Sequence, residues 1–407
     1  MKNFNNQFNF RVDNQLKFIN LLRKGPQSIN YLAEQANVSF TAANKIVDQL
    51  VSFGILNKHN LKPSEKKRGR IPSIVSINTQ VGVTCAIDLS SQDLTITIND
   101  LTGKTIAKRT IVNATFVEEK ELKEIVGFIK EMLLEEPIKK RQLLGICIAS
   151  PGLVSTTTGE IEESYRIKAS NNFSLTNYFF NEFGVKTNIY NDVKISCLGE
   201  IIAGCIPKGI KNFLYVHLGN GCSTALVIDG KIHQGKNGFS GELSNIDCNV
   251  TNNRLYGLRS ICLEALKNNS ASPYLDQSLN INIEKLKADY KDNNPTLLSA
   301  IDEIARLNAI QLIAYNDFLD LEYIVIEGPV LLFKETFKDS LLKYIHQLDK
   351  VEFRAKVLFS SLNESSSLVG TIYQANSIYF LDKLEEITNK RDPKGTYDIS
   401  EAFGDYI

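Results

Sequence analysis

Lys66-Lys67-Arg68-Gly69-Arg70-Ile71-Pro72 places four cations and a glycine in seven residues. The residue before a proline avoids helical backbone, so this stretch is expected to be extended. An extended Arg-rich strip is narrow enough for the DNA minor groove, where guanidiniums meet concentrated negative potential. On its own such a run also fits a solvated charged linker. Charge distribution separates the two readings. The chain of 407 residues has zero net charge, but residues 1–80 hold 12 Lys+Arg against 4 Asp+Glu, a net of +8, and the remainder carries −8. A basic end on an acidic body is the footprint of nucleic-acid binding confined to one end.

The elements that must position these cations are legible just upstream. Leu16, Phe18, Ile19 and Leu22 form a helical stripe ending at Gly25-Pro26. Ser28 is placed to cap a second helix with Ile29, Leu32, Ala33 and Ala36 inside, and Ser39 a third with Ala43, Ile46, Val47, Leu50 and Val51 inside. The pair reads as a helix-turn-helix. Ile55-Leu56 and Ile74–Ile77 read as strands of a wing that has the basic heptamer between them. In that arrangement Ser39, Thr41, Asn44 and Lys45 at the start of the third helix face the major groove, and Lys67, Arg68 and Arg70 the minor groove. Thr41 and Asn44 suit base edges, and Lys45 suits guanine or phosphate. A small helical bundle used for protein contacts is the alternative, and the positive charge argues against it.

From Val81 onward strand-like runs alternate with amphipathic helices. The pattern predicts a hairpin from 83–88 and 94–99, a helix over 119–134 and a buried strand over 143–149. Beyond Ile195 it predicts strands at 213–218, 225–228 and 323–326, with a helix-rich section over 280–319. This alternation indicates an α/β class. Seven scattered cysteines with no CxxC pair read as reduced, buried thiols. No apolar run approaches a membrane span, and the N-terminus lacks a signal-peptide core, so a cytoplasmic protein without a membrane partner is expected.

Several short motifs in this body occur in a recognisable order: Ile148-Ala-Ser-Pro151-Gly152, Asn191-Asp192, Leu214-Tyr-Val-His-Leu-Gly219-Asn-Gly221, Val227-Ile-Asp229-Gly230-Lys231, Gly238-Phe-Ser-Gly241-Glu242 and Cys262-Leu-Glu264. With them the chain resembles the ROK family, which groups bacterial sugar-responsive repressors with sugar kinases. The helix-turn-helix with its Arg-Gly-Arg-Ile-Pro wing is similar to the branch of xylose and N-acetylglucosamine repressors. The resemblance implies a winged helix-turn-helix over 1–80 and the two-lobed body of sugar kinases, actin and Hsp70 (a ribonuclease H-like fold). Its lobes would span 81–193 and 194–384, leaving a polar tail over 385–407. It also implies a sugar site drawn from Asn171, Asn172, Asn191, Asp192, Glu242 and Glu264, with Asp192 at the position of the kinase base.

Three departures from the family's kinases concern ATP. The first phosphate hairpin is Asp88-Leu89-Ser90-Ser91-Gln92, where Asp-x-Gly-Gly-Thr would let backbone amides approach phosphate. The second is Gly219-Asn-Gly221-Cys-Ser-Thr-Ala225, which keeps only its first two glycines. Glu327-Gly328 stands where a glycine pair would flank adenosine. The family's zinc ligands are also replaced, by Asn245, Arg254 and Tyr256, and only Cys262 survives of the set; one thiolate cannot make a tetrahedral site. The expectation is therefore a sugar-responsive regulator, a repressor without enzymatic activity, ATP or zinc. It would bind double-stranded operator DNA as a homodimer or a dimer of dimers, with a sugar or sugar derivative as effector. The alternative is an active sugar kinase carrying a DNA-binding module.

Overall fold

The computed structural model describes residues 2–60, 73–91, 93–112, 114, 116–155, 158, 160–164, 166–168, 173–243, 255–266, 274–275, 281–349, 353–362 and 365–389, with side chains described from residue 12 onward except at 60, 388 and 389. The chain forms two units. One comprises residues 1–154, 158–192 and 368–407, the other 155–157 and 193–367.

The first unit opens with α1 (Lys2–Arg23), β1 (Gln27–Ser28), α2 (Ile29–Gln35), α3 (Phe40–Ser52), β2 (Leu56–Asn60) and β3 (Ser73–Ile77). Both helix starts are capped as their serines predict: Ser28 Oγ accepts from Tyr31 N and Ser39 Oγ from Ala42 N. Leu16, Phe18, Ile19, Leu32, Ala43, Val47 and Leu50 are buried, so the three helices share one apolar core. The three strands form a sheet of order β1-β3-β2, entirely antiparallel. The strand β1 is absent from the sequence reading because two residues are too few to show a period.

The same unit continues with β4 (Gly82–Asp88), β5 (Leu94–Asn99), β6 (Thr105–Ile111), α4 (Glu119–Leu134), β7 (Gln142–Ser150), β8 (Leu153–Val154), β9 (Ile161–Glu163), α5 (Leu175–Phe183) and β10 (Thr187–Asn191). Five of these strands make a sheet ordered β10-β7-β4-β5-β6. A meander from β4 to β6 is antiparallel, and β7 and β10 add in parallel through helical crossovers. One core joins Val83, Cys85 and Ile87 of β4 and Ile146 and Ile148 of β7 to Leu122, Ile125 and Ile129 of α4.

The second unit takes in α6 (Asp192–Ala203) after its first residue, then β11 (Phe213–Leu218), β12 (Cys222–Ile228), β13 (Lys231–Ile232), α7 (Leu258–Glu264), α8 (Ile283–Lys291), α9 (Pro295–Leu319), β14 (Tyr323–Glu327), α10 (Lys334–Leu348) and β15 (Lys356–Phe359). Its sheet is ordered β13-β12-β11-β14-β15 and repeats the other's plan: an antiparallel meander, then two parallel strands. The helices α7, α9 and α10 cover it with a core that includes Leu258, Ile301, Ile304, Phe337 and Leu341.

The last helix, α11 (Ser366–Asn389), corrects the sequence reading, which assigned residues through 384 to the second lobe. From Leu368 onward the helix belongs with the first unit. Buried Asn376 accepts from Thr84 Oγ1 of β4 (2.5 Å) and donates to Asp100 O (3.0 Å). Gly145 of β7 leaves room for Ile378, since a Cβ there would lie 3.0 Å from its Cγ2. These partners are distant in sequence, so no local pattern announces them. No described helix is long and apolar enough to cross a membrane.

Candidate functional site

On the amino-terminal module, Thr41 and Lys45 are exposed on the first turns of α3. Ser39 is exposed as well, but its hydroxyl is committed to the cap. Asn44 sits in a small polar network: its Nδ2 donates to Asp48 Oδ2 (2.7 Å), and Lys58 Nζ donates to Asn44 Oδ1 (3.1 Å) and Asp48 Oδ1 (2.7 Å). The network ties the outer face of α3 to β2 and orients the Asn44 amide. Asp48 and Lys58 escaped the sequence reading, although the Asn44–Asp48 spacing of one helical turn was its available signal. Lys67, Arg68 and Arg70 lie outside the described residues, as do Asn171 and Asn172.

Among the other expected sugar contacts, Asn191 ends β10 and Asp192 begins α6, both in the first unit. Asn191 is buried, and its Nδ2 donates to Gly152 O (3.2 Å). Gly152 needs to be glycine: φ is +110°, and a Cβ would lie 2.2 Å from Glu163 O. Glu242 and Glu264 belong to the second unit and are half-buried. Glu242 accepts from Ser223 Oγ of β12 (3.1 Å). It follows Gly241, whose φ of +89° and place 2.0 Å (as a Cβ) from Thr224 O exclude a side chain. Glu264 ends α7.

Lys194, unnoticed in the sequence, organises the loop that leads to Glu242. It lies buried on the first turn of α6, and its Nζ donates to Gly238 O and Gln234 O. Burial pulls its pKa down from the usual lysine value to about 8, opposed by the charge of Glu242. A lone lysine in a helix start carries no sequence signal for such a role.

The two hairpins at the expected phosphate positions are each held by groups of their own unit. In the first unit, Asp88 accepts from Ser90 N (2.9 Å) and Ser90 Oγ (2.6 Å), so the serine standing in place of glycine consumes one carboxylate oxygen. Buried Arg166 donates to Leu89 O (2.8 Å), Ser91 O and Ala114 O (2.7 Å), pinning the turn from behind. In the second unit, Glu327 is 5% exposed by side chain and its carboxylate binds His217 Nδ1 at 2.6 Å across adjacent strands. A Cβ on Gly219 would lie 2.5 Å from His217 Nε2, and one on Gly257 would lie 2.2 Å from Gly219 O. The His217 imidazole crowds Gly219, and the Gly219 backbone crowds Gly257. Gln92 lies outside the described residues.

Of the positions compared with zinc ligands, Tyr256 and Cys262 fall among the described residues. Cys262 is fully buried in the apolar core of its unit, and burial pushes its thiol up to about 12. Tyr256 is buried there too, its backbone N–H held by Asn308; Asn245 and Arg254 lie outside the described residues.

A three-helix, three-strand module followed by two α/β sheets of one repeated plan defines a kinase-like body with an appended module. The ROK family model matches residues 84–377, and the chain belongs to the ROK family. It is 23% identical over 363 residues to the xylose repressor of Caldicellulosiruptor bescii, covering 84% of this chain and 89% of that one. Against the DNA-binding transcriptional dual regulator NagC of Escherichia coli K12 it is 26% identical over 247 residues, 61% of this chain and 60% of NagC. Its fold resembles a ROK family transcriptional regulator homologous to the E. coli MLC protein, with a TM-score of 0.72 at 20% identity, covering 93% of this chain and 100% of that one. It also resembles a ROK family glucokinase from Streptomyces griseus, solved with glucose and AMPPNP, with a TM-score of 0.57 at 17% identity over 73% of this chain and all of the glucokinase.

Proposed function

We propose that this protein is a sugar-responsive, DNA-binding transcriptional regulator, a repressor, whose kinase-like body binds effector without transferring phosphate. The observation that carries the reading is the self-occupied first hairpin, with Asp88 bound by Ser90 and the turn pinned by Arg166. Phosphoryl transfer depends on positioning and charge stabilisation, so a cradle that cannot receive phosphate removes the reaction. The Glu327–His217 pair adds a carboxylate where a nucleotide would bring more negative charge. Its relatives named xylose repressor and NagC support regulation as the role left to the fold.

The amino-terminal module acts in this reading as a winged helix-turn-helix over residues 1–80. Thr41, Asn44 and Lys45 face bases and phosphates of the major groove, and Lys67, Arg68 and Arg70 face the minor groove. Asn191, Asp192, Glu242 and Glu264 receive sugar hydroxyls, since vicinal hydroxyls demand several directed acceptors. Asp192 then serves as an acceptor and not as a catalytic base, and neither ATP nor zinc takes part. A sugar regulates DNA binding only by binding the competent and incompetent states with unequal affinity.

The test is a duplex selected by the protein from a randomised pool, titrated with and without D-xylose, N-acetylglucosamine and their 6- or 5-phosphates. The expected result is selective binding that one sugar weakens, lost in Asp192→Ala and Glu242→Ala. ATP-dependent phosphorylation of any of these sugars, abolished by Asp192→Asn, would establish the kinase reading instead.

A further inference from the structure

The module's first helix ends in a cation that no carboxylate among the described residues answers. Arg23, the last residue of α1, lays its guanidinium 3.9 Å from the centroid of the Tyr373 ring and 5.3 Å from that of Phe380, both on α11. Its Nη2 donates a long hydrogen bond to Ser377 Oγ (3.4 Å), while its Nε is buried and donates none. One helical turn earlier, Asn20 Oδ1 accepts from the Tyr373 hydroxyl (3.1 Å). Among the described residues these are the interactions of the guanidinium, and they all reach one face of α11. That helix is fixed on its other side, by Asn376 to Thr84 and Asp100 and by Ile378 against Gly145. It also begins in the second unit, where Ser366 Oγ donates to buried Glu200 Oε1 (2.6 Å).

A desolvated guanidinium held by two aromatic faces and one long hydrogen bond is weak cement. Burying a cation costs desolvation, which contacts of this strength offset only in part. Cation–π attraction is directional instead, and it fixes where the ring sits over the cation. The arrangement therefore specifies an orientation of α1 on α11 more than it contributes to stability. The operator rewards a fixed orientation, because a module that must be ordered at the moment of binding loses affinity for its specific site. Phosphate attraction, being long-ranged, is much less sensitive to such ordering.

We propose that Arg23 and Tyr373 form the joint that positions the amino-terminal module on α11 for specific DNA recognition, a role that rests on the DNA-binding reading above. Arg23 is a positioning residue and touches no DNA itself. The joint sets the ratio of specific to non-specific affinity and leaves the phosphate contacts alone.

The experiment compares the full chain with Arg23→Met, Tyr373→Leu and the double variant, with Tyr373→Phe as the conservative change. Amide exchange is followed in α1 to α3 and, as an internal control, in β4 and β7. Affinity is measured for the selected duplex and for a scrambled one across a salt series. Arg23→Met is expected to speed exchange in the module but not in β4 and β7. It should lower the specific-to-non-specific ratio by roughly 2- to 30-fold, the range of a cation–π contact, with the salt slope unchanged. Tyr373→Leu should do the same, the double variant no more than either alone, and Tyr373→Phe less. Unchanged exchange in the module overturns the proposal, as does a ratio within measurement error of the parent, or additive single effects. A parent chain that selects no duplex overturns the DNA-binding reading and this role together, whereas a parent that binds and variants that match it overturn the joint alone.

Discussion

In the first unit the turn after β4 is held from behind by a buried arginine, with Arg166 reaching three carbonyls while Ser90 ties up Asp88. In the second, the corresponding turn after β11 is held by glycines packed backbone to backbone and by the His217–Glu327 pair. The two sheets share a strand order, an antiparallel meander followed by two parallel strands. Their hairpins therefore occupy equivalent places in the two sheets and are held by different chemistry. The acids differ in the same way. Asn191, next to Asp192, is anchored at Gly152 by a rigid strand end, whereas Glu242 hangs on a loop that Lys194 gathers. Topology fixes where a loop emerges; side chains decide what it can receive.

The comparison is easiest to break at its glycines. Gly152→Ala and Gly241→Ala each put a Cβ within 2.2 Å of a carbonyl oxygen, at φ of +110° and +89°. Each is expected to cost about 3–4 kcal/mol in chemical denaturation and, if the proposed sugar reading holds, to weaken sugar binding by displacing Asn191 or Glu242. A Gly152→Ala or Gly241→Ala variant that binds sugar like the parent would remove its neighbour, Asn191 or Glu242, from the proposed contacts.

Arg166→Met comes next. It strands two buried carbonyls, of Leu89 and Ala114, and the half-buried one of Ser91, and is expected to cost about 2–3 kcal/mol, with faster amide exchange confined to residues 88–91. Unaltered exchange there would mean that Ser90 closes the turn unaided.

Lys194 sharpens the contrast through pH. Its folded-state pKa of about 8 lies below the ordinary lysine value of 10.5. Between those values the unfolded chain keeps a proton that the folded chain has lost, so this group's contribution to unfolding free energy rises with pH there and falls away as pH drops through about 8. Denaturation of Lys194→Met should lack that rise. An identical pH profile would show that the amine is not desolvated.

The smallest effects belong to the exposed module. Lys58→Ala breaks an exposed pair with Asp48 and is expected to cost less than about 1 kcal/mol of stability. Lys45→Ala should reduce the salt slope of DNA binding by about one. A slope that does not change would remove Lys45 from the phosphate contacts.

Local chemistry settled a good deal from the sequence alone. Ser28 and Ser39 announced two helix starts because a cap satisfies amides a few residues away. Strands such as 83–88, 94–99 and 213–218 were legible because a buried strand must be apolar along its length. Asp88 and the altered glycines mark where this chain departs from the kinase hairpins, since backbone approach depends on single side chains. Tertiary structure decided what depended on partners far apart in the chain. Arg166 meets the hairpin across 77 residues, Glu327 meets His217 across 110, and Arg23 meets Ser377 across 354. The place of α11 with the first unit and the loop-gathering role of Lys194 belong to the same class. Packing selects such pairs only after the sheets have formed, and no spacing rule along the chain encodes them.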